Sequence, residues 1–198
     1  MTPLFLSGPH GGGKTTLTKA LLAQSPIFVE NDFDIDFTTD FPSLSSLSHF
    51  ERCLMRLYHR FFITNYARTQ SLEHPERCII TNRSVYDSEA YINVYRDLGW
   101  ISEAQFQKLD LVLQSFNPRP ATVILNPPDE VIKQRLQGRR STATRVNRDT
   151  IFANEDSDEF IERLHAYFAT YKNEEHILYL ENNDQDEQVQ VSKWVNNL

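Results

Sequence analysis

Four of the six glycines in the chain fall within six consecutive positions: Gly8, Gly11, Gly12 and Gly13. The run Gly8-Pro9-His10-Gly11-Gly12-Gly13-Lys14-Thr15 has the spacing G-x-x-x-x-G-K-[ST]. In such a loop the backbone N–H groups converge on phosphate oxygens, and a helix opening at Gly13 adds its positive dipole end. Lys14 then reaches the β- and γ-phosphates of a nucleoside triphosphate, and the Thr15 hydroxyl binds Mg2+. The expected phosphate-binding set is Gly8, Gly11, Gly12, Gly13, Lys14, Thr15 and Thr16. The plain alternative is a glycine-rich turn with an exposed lysine.

Three further segments carry charge that could act on a phosphate. The apolar run ending at Thr81 leads into Asn82-Arg83-Ser84 and then into helical spacing. Arg83 therefore belongs at the carboxyl edge of a sheet, where ligands bind in α/β folds; a surface salt bridge is the competing reading. From Val131 through Arg148 there is no Asp or Glu, only Lys133, Arg135, Arg139, Arg140, Arg145 and Arg148, in a chain of net charge −7. Such a local excess against the global sign favours neutralisation of phosphoryl charge over an ordinary solvated face. Gly138 is expected to break the helix just before Arg139 and Arg140.

The third segment is acidic: Glu30-Asn31-Asp32-Phe33-Asp34-Ile35-Asp36. If extended, it projects Glu30, Asp32, Asp34 and Asp36 from one face, where they repel unless a metal or cationic ligand is near. Asp32 and Asp34 join Thr15 as candidate metal ligands, and a solvated acidic loop is the alternative. Arg52, Arg56 and Arg60 recur every four residues and share a helical stripe, read either as a solvated face or as a holder of an acidic acceptor.

The elements that must position these groups follow from periodicity. Continuous apolar runs at Pro3–Ser7, Ile27–Glu30, Arg77–Thr81, Ala121–Leu125 and His176–Leu180 read as buried strands. Helical patterns fill Lys14–Gln24, Ser43 to about Gln70, Val85–Asp97, Ser102–Phe116, Asp129–Gln137, Ser157–Lys172 and about Gln185–Val195. Strands without alternation, separated by helices, predict an α/β fold with a five-stranded parallel sheet covered on both faces. The 198 residues suit one domain. Cys53 and Cys78, each in an apolar stretch, read as buried free thiols of a reducing, cytoplasmic protein. No apolar run suffices for a membrane span, and the acidic balance argues against a dedicated nucleic-acid partner.

At Asn82-Arg83-Ser84, together with the glycine loop, the sequence resembles the deoxynucleoside kinase and thymidylate kinase superfamily of P-loop kinases. Those enzymes carry Glu-Arg-Ser, or Asp-Arg-Tyr or Asp-Arg-Ser, at this strand end, and Asn82 is neutral where they place a carboxylate. The resemblance implies a three-layer P-loop NTPase fold with a basic lid at about 138–156. It also implies that Arg83 contacts the 5′ oxygen or phosphate, that Glu30 is the general base, and that Arg139 and Arg140 close over the phosphates. An Asp-x-Asp at this place in shikimate- and gluconate-type kinases binds acceptor and metal, and Asp32-Phe33-Asp34 fits that equally. The resulting expectation is ATP- and Mg2+-dependent phosphoryl transfer to a small-molecule acceptor, a nucleoside or nucleoside monophosphate. The alternatives are a kinase of a sugar-acid metabolite and a regulatory ATP-binding protein. A homodimer is compatible with each.

Overall fold

The computed structural model describes residues 1–31, 42–141, 151–182 and 185–198. Five short strands, β1 (Leu4–Ser7), β2 (Phe28–Glu30), β3 (Cys78–Asn82), β4 (Thr122–Leu125) and β5 (Ile177–Leu180), form one sheet in the order β2-β3-β1-β4-β5. Every pairing is parallel. Among the described residues, seven helices lie between and beyond the strands: α1 (Lys14–Gln24), α2 (His49–Glu73), α3 (Val85–Asp97), α4 (Glu103–Gln114), α5 (Asp129–Ser141), α6 (Asp158–Ala169) and α7 (Gln185–Val195). Short 3-10 turns occupy Pro42–Ser46 and Ala153–Asp156.

Strand side chains alternate between two covering layers, which is why the strands read as continuous apolar runs. Leu4, Leu6, Ile80 and Val123 pack against Leu17 and Leu21 of α1 and Val191 and Val195 of α7. Phe5 and Ile79 turn the other way, onto Ile63 and Ala67 of α2. Ile124 and Ile177 meet a larger core from α2, α3, α4 and α6, centred on Tyr95, Phe160 and Phe168. Cys53 and Cys78 are free and buried, and burial pushes their thiols up to about 12 and about 11. Among the described residues, no helix is long and apolar enough to cross a membrane.

Two boundaries depart from the sequence reading for physical reasons. The long helix begins at His49, not Ser43, because Ser48 and Glu51 close a reciprocal capping box that satisfies the first backbone donors there. It then runs to Glu73. Gly138 does not end α5, which continues through Arg139 and Arg140 to Ser141. A side chain at Gly138 would meet nothing within 4 Å, so this glycine serves no tight approach and costs only helix propensity. The remaining ends shift by a few residues.

Candidate active site

The sheet order brings the two polar strand ends together. In β1 and β3, Leu6 is level with Asn82, so the glycine loop after Ser7 and the Arg83 turn leave the same edge side by side. The junction is tied by Arg83 N–H donating to the Leu6 carbonyl at 2.7 Å and by a 2.6 Å bond between the Ser7 and Ser84 hydroxyls. On the other side of the loop, Gly8 has φ 132, and a Cβ there would lie 2.1 Å from the Leu125 carbonyl oxygen of β4. No other residue fits.

Lys14 opens α1 and is buried. Its ammonium donates to the Gly8 and Pro9 carbonyls at 2.6 and 2.9 Å. Its pKa falls from 10.5 to about 7, first through burial and then through the Arg83 charge; Asp87 opposes, and Arg139 and Arg60 add smaller pushes. Three guanidinium groups from three different helices or turns therefore act on one lysine at the loop. Arg83 sits in the left-handed region, φ 73, a conformation that costs a residue with a Cβ about 1 kcal/mol. It is held there by the Leu6 bond and by Ser84, which caps α3 in a reciprocal box with Asp87. The turn places its guanidinium 3.3 Å from the Asp87 carboxylate and 5.8 Å from the Tyr91 ring centre. Arg60, buried on α2, reaches the Asn82 carbonyl at 3.5 Å.

Glu30 is exposed at the end of β2 and accepts from the Asn82 side-chain Nδ2 at 3.3 Å, while Asn82 Oδ1 accepts from the Thr18 hydroxyl at 3.3 Å. Asn82 thus donates to Glu30, which a second carboxylate at that position could not do. Thr15 and Thr16 are exposed on the first turn of α1. Among the described residues, no group of three His, Cys, Asp or Glu side chains could hold a metal. Asp32, Asp34, Asp36, Arg145 and Arg148 lie outside the described residues, as does the side chain of Arg140. Of the proposed lid, residues 138–141 belong to α5 and Ala153–Asp156 form the second 3-10 turn, while 142–150 lie outside the described residues.

The other basic residues divide. Lys133 is occupied by Asp129 and Glu162 at 3.0 and 2.7 Å. Arg135 donates to the carbonyls of Gly11 and Gly12. The Arg52-Arg56-Arg60 stripe is not a solvated face. Arg52 donates to the Leu47 and Ile151 carbonyls at 2.9 and 3.2 Å, and Arg56 pairs at 3.0 Å with Glu155, a residue only 4% exposed. Tyr95 donates a short bond to the same carboxylate; burial and Glu155 push its hydroxyl well above the usual range, so the proton stays on oxygen.

Sequence reasoning passed over His10, since the x positions of the loop tolerate many residues. It is buried, bonded through Nδ1 to the Tyr91 hydroxyl at 2.6 Å, with Nε2 2.9 Å from Asp156. It joins the loop to α3 and to the second 3-10 turn, across separations that no local motif encodes.

No family model and no curated protein matches the sequence. Solved structures match it along nearly its whole length. A deoxyadenosine kinase from M. mycoides with bound dATP superposes with TM-score 0.65 at 11% identity, over 100% of both chains. The same enzyme with bound dCTP gives 0.69 at 15%, over 99% of this chain and 100% of that one. Thymidylate kinase from Candida albicans gives 0.69 at 16%, over 99% and 91%. With its all-parallel sheet in the order 2-3-1-4-5, a glycine loop after the central strand and an arginine turn beside it, the chain has the fold of these deoxyadenosine and thymidylate kinases.

Proposed function

We propose that this protein is an ATP- and Mg2+-dependent phosphotransferase that moves a γ-phosphoryl group to a small acceptor, a nucleoside or nucleoside monophosphate. One observation carries the reading: Lys14 is buried at the mouth of the glycine loop with the Arg83 turn beside it, and burial first, then the Arg83 charge, lower its pKa to about 7, with Arg139 and Arg60 adding to the effect. Cations are assembled this way where a polyphosphate supplies the missing negative charge. The likeness to kinases that hold dATP and dCTP supports the class of ligand.

In this reading the amides of Gly8, Gly11 and Gly13, with Lys14 and the first turn of α1, hold the donor phosphates, and Gly12 shapes the loop through its own bond to Pro9. Thr15 would hold Mg2+ together with phosphate oxygens and water, because Mg2+ takes few protein ligands. When bound, the ion spreads the charge of the β- and γ-phosphates. Arg83 fixes the reacting oxygen, Arg139 and Arg140 stabilise charge on the transferring group, and Glu30 accepts the acceptor's proton. Catalysis rests on positioning and electrostatics, as phosphoryl transfer requires.

The test is ADP release across a panel of nucleosides and nucleoside monophosphates. Lys14→Ala should fold normally and lose about 10³-fold or more of the acceptor-dependent rate; wild-type turnover by this variant would overturn the reading. Glu30→Gln should reduce turnover far more than Asp36→Asn, and equal effects would remove Glu30 as the base. Asn82, uncharged beside Glu30, is the observation that favours a regulatory ATP-binding protein instead. That alternative gains if nucleotide binds and no acceptor raises ADP release.

A further inference from the structure

Arg135 lies on α5, outside the glycine-loop motif, and its sequence neighbours place it in a basic run expected to close over phosphates. Its geometry points elsewhere. Nη1, an NH2 group, donates to the Gly11 carbonyl oxygen at 3.1 Å and to that of Gly12 at 3.0 Å, so one nitrogen serves two consecutive carbonyls. The helix itself is pressed under the loop. A Cβ on Gly11 would meet Ile132 at 3.2 Å and Leu136 at 3.4 Å, and these two pack with Ile161 of α6. The position of α5 is therefore set by apolar contacts that do not involve Arg135.

In a trans peptide the carbonyl and the following N–H point in opposite directions. Holding the Gly11 and Gly12 carbonyls therefore holds the peptide planes that present the Gly12 and Gly13 amides. The Gly12 amide closes the loop's own turn onto the Pro9 carbonyl at 3.0 Å. The Gly13 amide is presented on the side of its peptide away from Arg135. A loop whose amides face a ligand must turn carbonyls outward, and those carbonyls need donors. A guanidinium, with donors only and a permanent charge, suits that task.

We propose that Arg135 is a positioning residue of the phosphate loop. It orients the Gly12 and Gly13 amides by gripping the two preceding carbonyls. The inference rests on the nucleotide-binding reading above. It predicts that losing Arg135 weakens the phosphate end of any ligand and leaves the rest of recognition intact.

The experiment is calorimetric titration of the full-length protein with Mg-ATP and, separately, with Mg-tripolyphosphate, which has no base or ribose. Arg135→Met should weaken both by the same factor, about tenfold, the size expected for a charge-assisted hydrogen bond. Arg135→Lys, which keeps a charged donor, should recover part of the loss for both ligands and guards against a Met variant that folds poorly. Weakened ATP binding with unchanged tripolyphosphate binding would put Arg135 on the base or ribose and overturn the proposal. Unchanged affinity for both would overturn it too. A wild-type protein that binds neither ligand would instead defeat the nucleotide-binding reading, and this inference with it.

Discussion

Two regions meet at His10 and are built on different principles. The loop side, from Gly8 through Lys14 with the Arg83 turn, is assembled from residues close in sequence to strand ends, and there the charge of Arg83, itself paired with Asp87, adds to burial in lowering the pKa of Lys14. The flank formed by α2, α3 and the second 3-10 turn joins its polar groups internally: Arg56 pairs with Glu155, the neutral Tyr95 hydroxyl donates to Glu155, and His10 lies against Asp156. In one region a buried lysine is set beside guanidinium charge, and in the other the polar groups meet one another across the fold. In the proposed reading the first region receives the polyphosphate and the second is its scaffold. Arg56 therefore belongs to the support of the site, although it shares a helical stripe with Arg60, which faces the loop.

The largest expected effect tests whether the loop side is sterically fixed. Gly8→Ala drives a Cβ into the Leu125 carbonyl at a positive φ, and strain plus overpacking should cost about 5 kcal/mol. Urea unfolding measures it, and a loss under about 1 kcal/mol would mean that β4 yields and the loop is not fixed by the sheet. On the flank, Glu155→Gln leaves the half-buried Arg56 without its counter-charge, with an expected loss of about 3 kcal/mol. If stability is unchanged and acceptor affinity falls instead, Arg56 is a ligand-binding arginine and the division between the two regions is wrong.

That division also marks where the sequence could be read. The glycine loop, the parallel sheet and Arg83 at its edge were legible because each depends on residues within one strand–turn–helix unit, where spacing and periodicity carry the information. The 3-10 turn before α2 was hidden by a Pro- and Gly-free stretch that looked helical from Ser43, and the capping pair Ser48 and Glu51 was the signal available to correct it. Arg56 and Glu155 are 99 positions apart, and His10 and Tyr91 are 81 apart. No local pattern announces such pairs. Arg135 was legible as a cation and illegible as a loop support, since charge gives no direction until α5 is packed.

A smaller and sharper test uses protons. Lys14 titrates near its ordinary 10.5 in the unfolded chain and near 7 in the folded one. Between those values the unfolded chain holds the extra proton, so this group makes stability climb as pH rises from about 7 to about 10.5, by up to about 1.4 kcal/mol per pH unit. A bound polyphosphate stabilises the ammonium and removes that slope. Calorimetric titration with tripolyphosphate at pH 8.5, in buffers of different ionisation enthalpy, should show proton uptake that Lys14→Met abolishes. No uptake in the wild type would mean that the loop side is not short of negative charge, and its contrast with the flank would disappear.

The smallest effect is expected where the site departs from the kinases it resembles. In the native chain Asn82 Nδ2 donates to Glu30 and Asn82 Oδ1 accepts from Thr18. Asn82→Asp keeps the Thr18 bond but sets two carboxylates against each other, exchanging a donor–acceptor contact for repulsion. The loss should be about 1 kcal/mol without divalent cations, because Glu30 is exposed and water screens much of the repulsion. Carboxylates placed this way are relieved by a cation, so millimolar Mg2+ should restore the variant's midpoint in urea while leaving the wild type unmoved. Equal Mg2+ sensitivity in both proteins would show that Asn82 does not govern the ion, and that the neutral side chain at this strand end serves the Glu30 contact alone.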